Sequence, residues 1–205
     1  PEHDNLDGHN VLKTKGAIHY LTSEEIEKDK EYLFSISSKL KDKNIISLII
    51  GGPTQYYDYS DRNIQEIFSK VNYLVKENNL NLVVIPSMRT PKGTIEHAKI
   101  YFGNDHLVLD GVDKKAYLSA LSQSKHLVIT CDSSSMISEA ALTGKPIYIA
   151  TIPPKKSDKR FKNFRKLFQE MKIVRELGEK LENWNYEKLD ETNRVANIIK
   201  DKIQL

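Results

Sequence analysis

Residues 130–139, Thr-Cys-Asp-Ser-Ser-Ser-Met-Ile-Ser-Glu, put two carboxylates and four serines between two apolar runs, His126–Ile129 and Ile147–Ala150. Asp132 and Ser133 stand where a helix should begin, so one of them is expected to be its N-cap. The free N–H groups and dipole of a helix start favour an anion such as a diphosphate. Ser135 and Glu139 are four residues apart and share a helix face. A carboxylate one turn inside such a helix can accept two hydrogen bonds from a ribose cis-diol. Asp132 would repel a phosphate, which leaves it capping or a sugar hydroxyl. Thr143-Gly144-Lys145-Pro146 reads as a glycine C-cap followed by a stop. A well-capped helix without a ligand explains the cap and the stop, but gives Glu139 no task.

Two further clusters could do chemistry. In Gly51-Gly52-Pro53-Thr54 two glycines would let backbone N–H groups approach a phosphate, with the Thr54 hydroxyl beside them. A plain strand-to-helix turn is the simpler reading. Near the start, His3, His9 and His19 fall within nineteen residues. His3 or His19 could serve as a general base near neutral pH; equally, the segment is a polar connector whose imidazoles satisfy backbone groups.

Several chemistries are excluded. Gly144-Lys145 is no phosphate-binding loop of the P-loop type, because Pro146 takes the Ser/Thr place. No G-x-G-x-x-G occurs, so the nicotinamide fingerprint is missing. None of the ten tyrosines has a lysine four residues later, which removes the catalytic pair of short-chain dehydrogenases. No G-x-S-x-G or H-E-x-x-H is present, and His, Cys and acids are too scattered for a metal site. Cys131 is the only cysteine, so no internal disulfide forms; a small buried residue in a reducing cytoplasm fits it.

The elements that must position these residues follow from the apolar pattern. Five strands are expected, Ile45–Ile50, Leu80–Ile85, His106–Leu109, His126–Thr130 and Pro146–Ala150. Their continuous apolar runs suit strands covered on both faces. Thr22-Ser23-Glu24-Glu25 reads as a capping box for one helix reaching Leu40. Further helices are expected over 61–78, 91–101, 113–124, 133–143, 158–171 and 187–203. Alternation of strand and helix predicts an α/β, Rossmann-like doubly wound parallel sheet with helices on both faces. Ligands of such sheets bind outside the carboxyl ends of the strands, which is where the loops described above lie.

The net charge of +3 hides a segment, 155–175, that carries +7 against −4 for the rest. Lys155, Lys156, Lys159, Arg160, Lys162 and Arg165 form its core. A solvated helix face is the plainer reading, and an anionic membrane surface or phosphate the sharper one. No aromatic-interleaved basic platform appears, so nucleic acid is not an expected partner. No apolar run nears the ~20 residues of a spanning helix. The chain starts at Pro1 without Met, and a piece of a longer chain is expected.

Together HDNLDGHNVLKTKGAIH (3–19), GGPTQYY (51–57), SMRTP (87–91), TCDSSSMISEAALTGKPIYI (130–149), KRFKNFRKLF (159–168) and WNYEKLDET (184–192) resemble the elongated-mitochondria, or mitochondrial fission, protein family. That family is similar to glycosyltransferases of the GT-B type, with two Rossmann-like domains and the nucleotide-sugar held by the C-terminal one. The resemblance implies the C-terminal, donor-binding half: 1–22 as junction from an absent N-terminal domain, 23–175 as the nucleotide-sugar-binding domain and 176–205 as a helical extension. It implies phosphate contacts at Gly51, Gly52, Pro53 and Thr54, and a diphosphate near Ser133, Ser134 and Ser135. It further implies a ribose at Glu139, a base near Leu109, Asp110 and Gly111, and charge neutralisation by Arg89. Val112-Asp113 departs from the family's Asn-Pro, and Arg165 from its His. The expected function is donor binding in a metal-independent, cofactor-free glycosyltransferase, cytoplasmic or peripheral at a membrane. A non-catalytic scaffold with a basic docking face and a nucleotide-sugar hydrolase are the alternatives.

Overall fold

A computed structural model describes residues 1–4, 6–41 and 43–203, the side chain of His3 excepted. Six strands form one parallel sheet: β1 Ile45–Ile50, β2 Asn81–Pro86, β3 Leu107–Val108, β4 Ser124–Thr130, β5 Ile147–Ala150 and β6 Val174–Glu176. Their order is β3-β2-β1-β4-β5-β6, the Rossmann-like arrangement expected. All six residues of β1 are buried, because the strand is central and covered on both faces. The chain turns one way from β1 to β2 and the other way at β4, so the switch point lies between β1 and β4. A buried hydrogen bond between the Ser47 and Ser124 hydroxyls, 2.7 Å, ties these two strands where their register slips.

The five expected strands are present within one or two residues at most ends. β6 was not foreseen: it is three residues long at a sheet edge, with only Val174 buried, and carries no apolar run to read. Helices α3 Asp61–Glu77, α4 Lys92–Phe102, α5 Lys114–Gln123, α6 Ser134–Ala141, α7 Lys159–Glu170 and α8 Glu191–Ile203 lie where the periodicity puts them. Right-handed crossovers place α3 and α4 on one face of the sheet and α5, α6 and α7 on the other.

The single helix expected from Thr22 to Leu40 is instead broken into α1 Ser23–Lys28, α2 Tyr32–Ile36 and a 3₁₀ turn, Ser38–Leu40. Thr22 does cap α1 through the Glu25 N–H, 3.1 Å. The break is filled from α5. The buried Ser119 hydroxyl accepts from the Leu33 N–H (3.1 Å) and donates to the Lys30 carbonyl (2.5 Å). A side chain from another element thus replaces a turn of helix, which no local pattern can announce.

Residues 13–19 are fastened to α8. The Glu191 carboxylate, 2% exposed, takes the Lys15 N–H (2.7 Å) and both arms of Arg194 (2.7 Å each). Thr192 donates to the His19 carbonyl at 2.6 Å.

Ser119→Ala should strand the Leu33 N–H in the core and cost about 1–3 kcal/mol. Urea unfolding checks this; an unchanged midpoint would mean that the bridge contributes nothing.

Candidate functional site

At the switch point the sequence folds a carboxylate inward. Cys131 and Asp132 leave β4, and Asp132 is 3% exposed. Its Oδ2 accepts from the Gly52 N–H (3.1 Å) and the Arg89 Nη2 (2.8 Å), while the Tyr59 hydroxyl donates to Oδ1 (2.5 Å). Arg89 Nη1 also reaches the Gly52 carbonyl, 3.1 Å. The Gly51 N–H goes to Thr130 Oγ1, 2.8 Å. A Cβ on Gly51 would overlap the Asp132 carboxylate, and one on Gly52 the Arg89 backbone carbonyl. The glycines are therefore needed for packing against Asp132 and Arg89.

This changes the expectation for the first loop. The Gly51 and Gly52 N–H groups already have acceptors. The Thr54 hydroxyl accepts from the Tyr56 and Tyr57 N–H groups, 3.1 and 3.2 Å, and so closes a turn. Pro53 is exposed. Nor does Asp132 cap a helix or face a sugar: its oxygens are taken up inside the loop cluster. Burial, then the Asp132 carboxylate, raise the Tyr59 hydroxyl well above the ordinary phenol range, so it stays a donor.

The cap is Ser133, whose Oγ accepts from the Met136 N–H at 3.4 Å and opens α6. Among the described residues no acceptor takes the Ser134 and Ser135 N–H groups. The Ser135 side chain is exposed, and the Ser138 hydroxyl is used by the Ser134 carbonyl and the Ala17 N–H.

One turn further in, Glu139 borders a cleft of about 270 Å³. Tyr20, Met88, Val112, Tyr117 and Met136 are among the residues of its walls, which are chiefly apolar. Tyr117 donates to Glu139 Oε2 at 2.7 Å; burial first, then Glu139, raises that phenol far above its ordinary range. Asp113 at the rim caps α5 and takes the Tyr32 hydroxyl, 3.0 Å, which fixes the wall against α2. Leu109 faces the core and Asp110 pairs with Lys99; neither they nor Gly111 line this cleft, whereas Val112 and Asp113 do. Val112 and Met88 give no sequence signal as wall residues, because each is a single exposed apolar side chain in a loop.

His19 is buried against α8, with its Nδ1 unpartnered among the described residues, and it is not among the residues lining the cleft. The side chain of His3 lies outside the described residues. No group of three metal-ligating side chains occurs among the described residues. Burial pushes the Cys131 thiol up to about 11, which makes it a poor nucleophile.

The basic segment divides. Lys155, Lys156, Lys159 and Lys162 are exposed, Lys156 lying over the Tyr56 ring and bonded to Gln55 (2.9 Å). Arg160 pairs with Asp4. Arg165 does not belong to the surface: 9% exposed, it donates to the Tyr57 hydroxyl (2.8 Å) and Asp158 (3.0 Å), and Tyr57 donates to the same carboxylate (2.6 Å). This triad locks the Gly51–Ser60 loop to the start of α7. Burial alone would raise the Asp158 carboxyl, but the Tyr57 and Arg165 hydrogen bonds outweigh it and hold it below the ordinary range.

Two outcomes follow. Gly52→Ala should cost about 1–3 kcal/mol in urea unfolding, because a backbone carbonyl cannot move aside as a side chain can; an unchanged midpoint would refute the close approach. Because the folded pKa of Asp158 is lowered, its contribution is present above the ordinary carboxylate pKa and lost as pH falls through the folded value. Asp158→Asn should therefore shrink the loss of thermal stability on acidification; an identical pH profile would contradict the triad's role.

The geometry can be set beside known proteins. An uncharacterized protein of Rickettsia prowazekii is 27% identical over 209 residues, covering 95% of this chain and 56% of that protein. The mitochondrial fission protein ELM1 of Arabidopsis thaliana is 26% identical over 205 residues, covering 94% of this chain and 45% of that protein. The chain thus spans about half the length of these relatives. Among solved structures, the UDP-GlcNAc 2-epimerase of Neisseria meningitidis bound to UDP-GlcNAc superposes with a TM-score of 0.52 at 13% identity. The match covers 88% of this chain and 50% of that one, a likeness of fold to one half of a GT-B-like architecture. With residues 1–203 matched, the chain belongs to the Mitochondrial fission ELM1 family.

Proposed function

We propose that the cleft beside α6 holds a nucleoside diphosphate sugar, and that the chain is the donor-binding half of a metal-independent glycosyltransferase of GT-B type. The observation that carries this is the pairing of two unclaimed N–H groups, Ser134 and Ser135, with a carboxylate one turn deeper at an apolar cleft. The diphosphate sits at the helix start, where N–H groups and dipole favour negative charge. The ribose diol donates to Glu139, which Tyr117 orients. The base lies between Tyr20, Met88, Val112 and Met136. A fold likeness to a protein bound to UDP-GlcNAc supports the ligand class.

Arg89 is the remaining charge at this end. Its side chain is 43% exposed, so one guanidinium edge can face a diphosphate while the other holds Asp132. In glycosyl transfer the bond from the anomeric carbon to the diphosphate oxygen breaks as the acceptor oxygen bonds to that carbon. The negative charge left on the diphosphate is stabilised by the α6 N–H groups and Arg89. The acceptor and its base would come from a second domain, across a junction formed by residues 1–22. Residues 23–175 are the proposed binding domain, and 176–205 the extension that fastens the junction through Glu191.

A second reading, a scaffold that docks on anionic membrane, is favoured by the exposed Lys155, Lys156, Lys159 and Lys162. Among the described residues no helix is long and apolar enough to cross a membrane.

Calorimetric titration with UDP, GDP, ADP, CDP and dTDP separates the readings. One diphosphate should bind at micromolar strength, about −8 kcal/mol, and Glu139→Ala should weaken it by at least about tenfold. A folded chain that binds none, yet loses vesicle binding on neutralising the four lysines, would be a scaffold.

A further inference from the structure

The opposite end of the sheet carries a second depression that the proposed donor site does not use. It is bounded by the amino ends of the strands: Asn44 precedes β1, Leu80 precedes β2, Ser124–His126 open β4 and Lys145 precedes β5. Its volume is about 530 Å³. Among the described residues, every charged or titratable side chain that lines it is a base, namely Lys125, His126 and Lys145.

His126 is the unusual member. It is 6% exposed, and the exposed Asn183 side chain is the one group that hydrogen-bonds toward its ring, at a geometry that leaves neither nitrogen with a regular partner among the described residues. A buried imidazole so weakly partnered costs stability, and the aromatic ring of Tyr148 beside it would accept an apolar residue there instead. Lys145 adds a half-buried ammonium that touches the Ser122 carbonyl and keeps further N–H groups free. Burial lowers it to about 8 against the opposing pull of Glu27, so the ammonium gains from a further anionic neighbour.

We propose that this depression is a binding site for a small oxyanion, a phosphate or carboxylate group of a soluble ligand, held by His126, Lys145 and Lys125, with the Asn44 and Asn183 amides at the rim. It lies at the far end of the strands from the amino end of α6 and stands independently of the donor-site reading. A ligand here would bear on β4 and β5 at their starts, and these strands carry Thr130 and Ala150 at the other end.

The test is calorimetric titration of the chain with inorganic phosphate and, separately, with citrate, at pH 7 and low salt. At least one should bind at a single saturable site, which also says whether phosphate or carboxylate is preferred. Lys145→Met and His126→Leu should each weaken it by about tenfold or more. Asn183→Asp, at the exposed rim, should abolish it by charge repulsion. The same variants should leave UDP titration unaltered, so failure here is distinct from failure of the donor site. Absence of binding by both probes, or equal binding in Asn183→Asp, would overturn the proposal.

Discussion

The buried carboxylate of Asp132 constrains everything at the carboxyl end of the sheet. A charge removed from water must be met by donors, and here they come from two loops: Gly52 and Tyr59 at the two ends of the loop between β1 and α3, and Arg89 after β2. Those contacts draw the loops together at the switch point. They also dictate two glycines, since neither position tolerates a side chain against Asp132 or the Arg89 backbone. A position where a Rossmann-like sheet often opens toward a ligand is thereby closed from within.

Closing that point leaves the cleft beside α6 as the proposed place for a ligand. With Gly51 and Gly52 engaged, the Ser134 and Ser135 N–H groups of α6 remain without an acceptor among the described residues, and the open volume lies on the side of β1 and β2 bordered by Met88, Val112 and Glu139. Arg89 links the two regions, anchored to Asp132 yet exposed on its outer edge. The Tyr57–Asp158–Arg165 triad holds the same loop from the other side, through α7. The loop cluster is thus built as a rigid frame, and a ligand at α6 would meet positions already fixed.

Much of this was legible in the sequence where burial dictates residue type. Continuous apolar runs marked five strands, and Ser133 with Glu139 marked α6, because capping and helix spacing are local rules. What was not legible depends on partners distant in sequence. The role of Asp132 is set by Arg89, 43 positions away, and that of Arg165 by Tyr57, 108 positions away. The local pattern points Asp132 to a cap or a sugar hydroxyl and Arg165 to a basic surface, because nothing local separates a buried charge from a solvated one. The break after Lys28 depends on Ser119, and β6 is too short and too polar for any pattern. Leu109, Asp110 and Gly111 do not line the cleft and Val112 and Asp113 do, since a loop's inward-facing side chains depend on its path.

The most direct measurement is a nitrogen-resolved NMR titration of the chain with UDP, followed at the backbone amides of both loops. If the switch point is closed by Asp132 and the anion sits at α6, the Ser134 and Ser135 amides shift and saturate while Gly51 and Gly52 stay in place. Saturating shifts at Gly51 and Gly52, with Ser134 and Ser135 unmoved, would contradict the account.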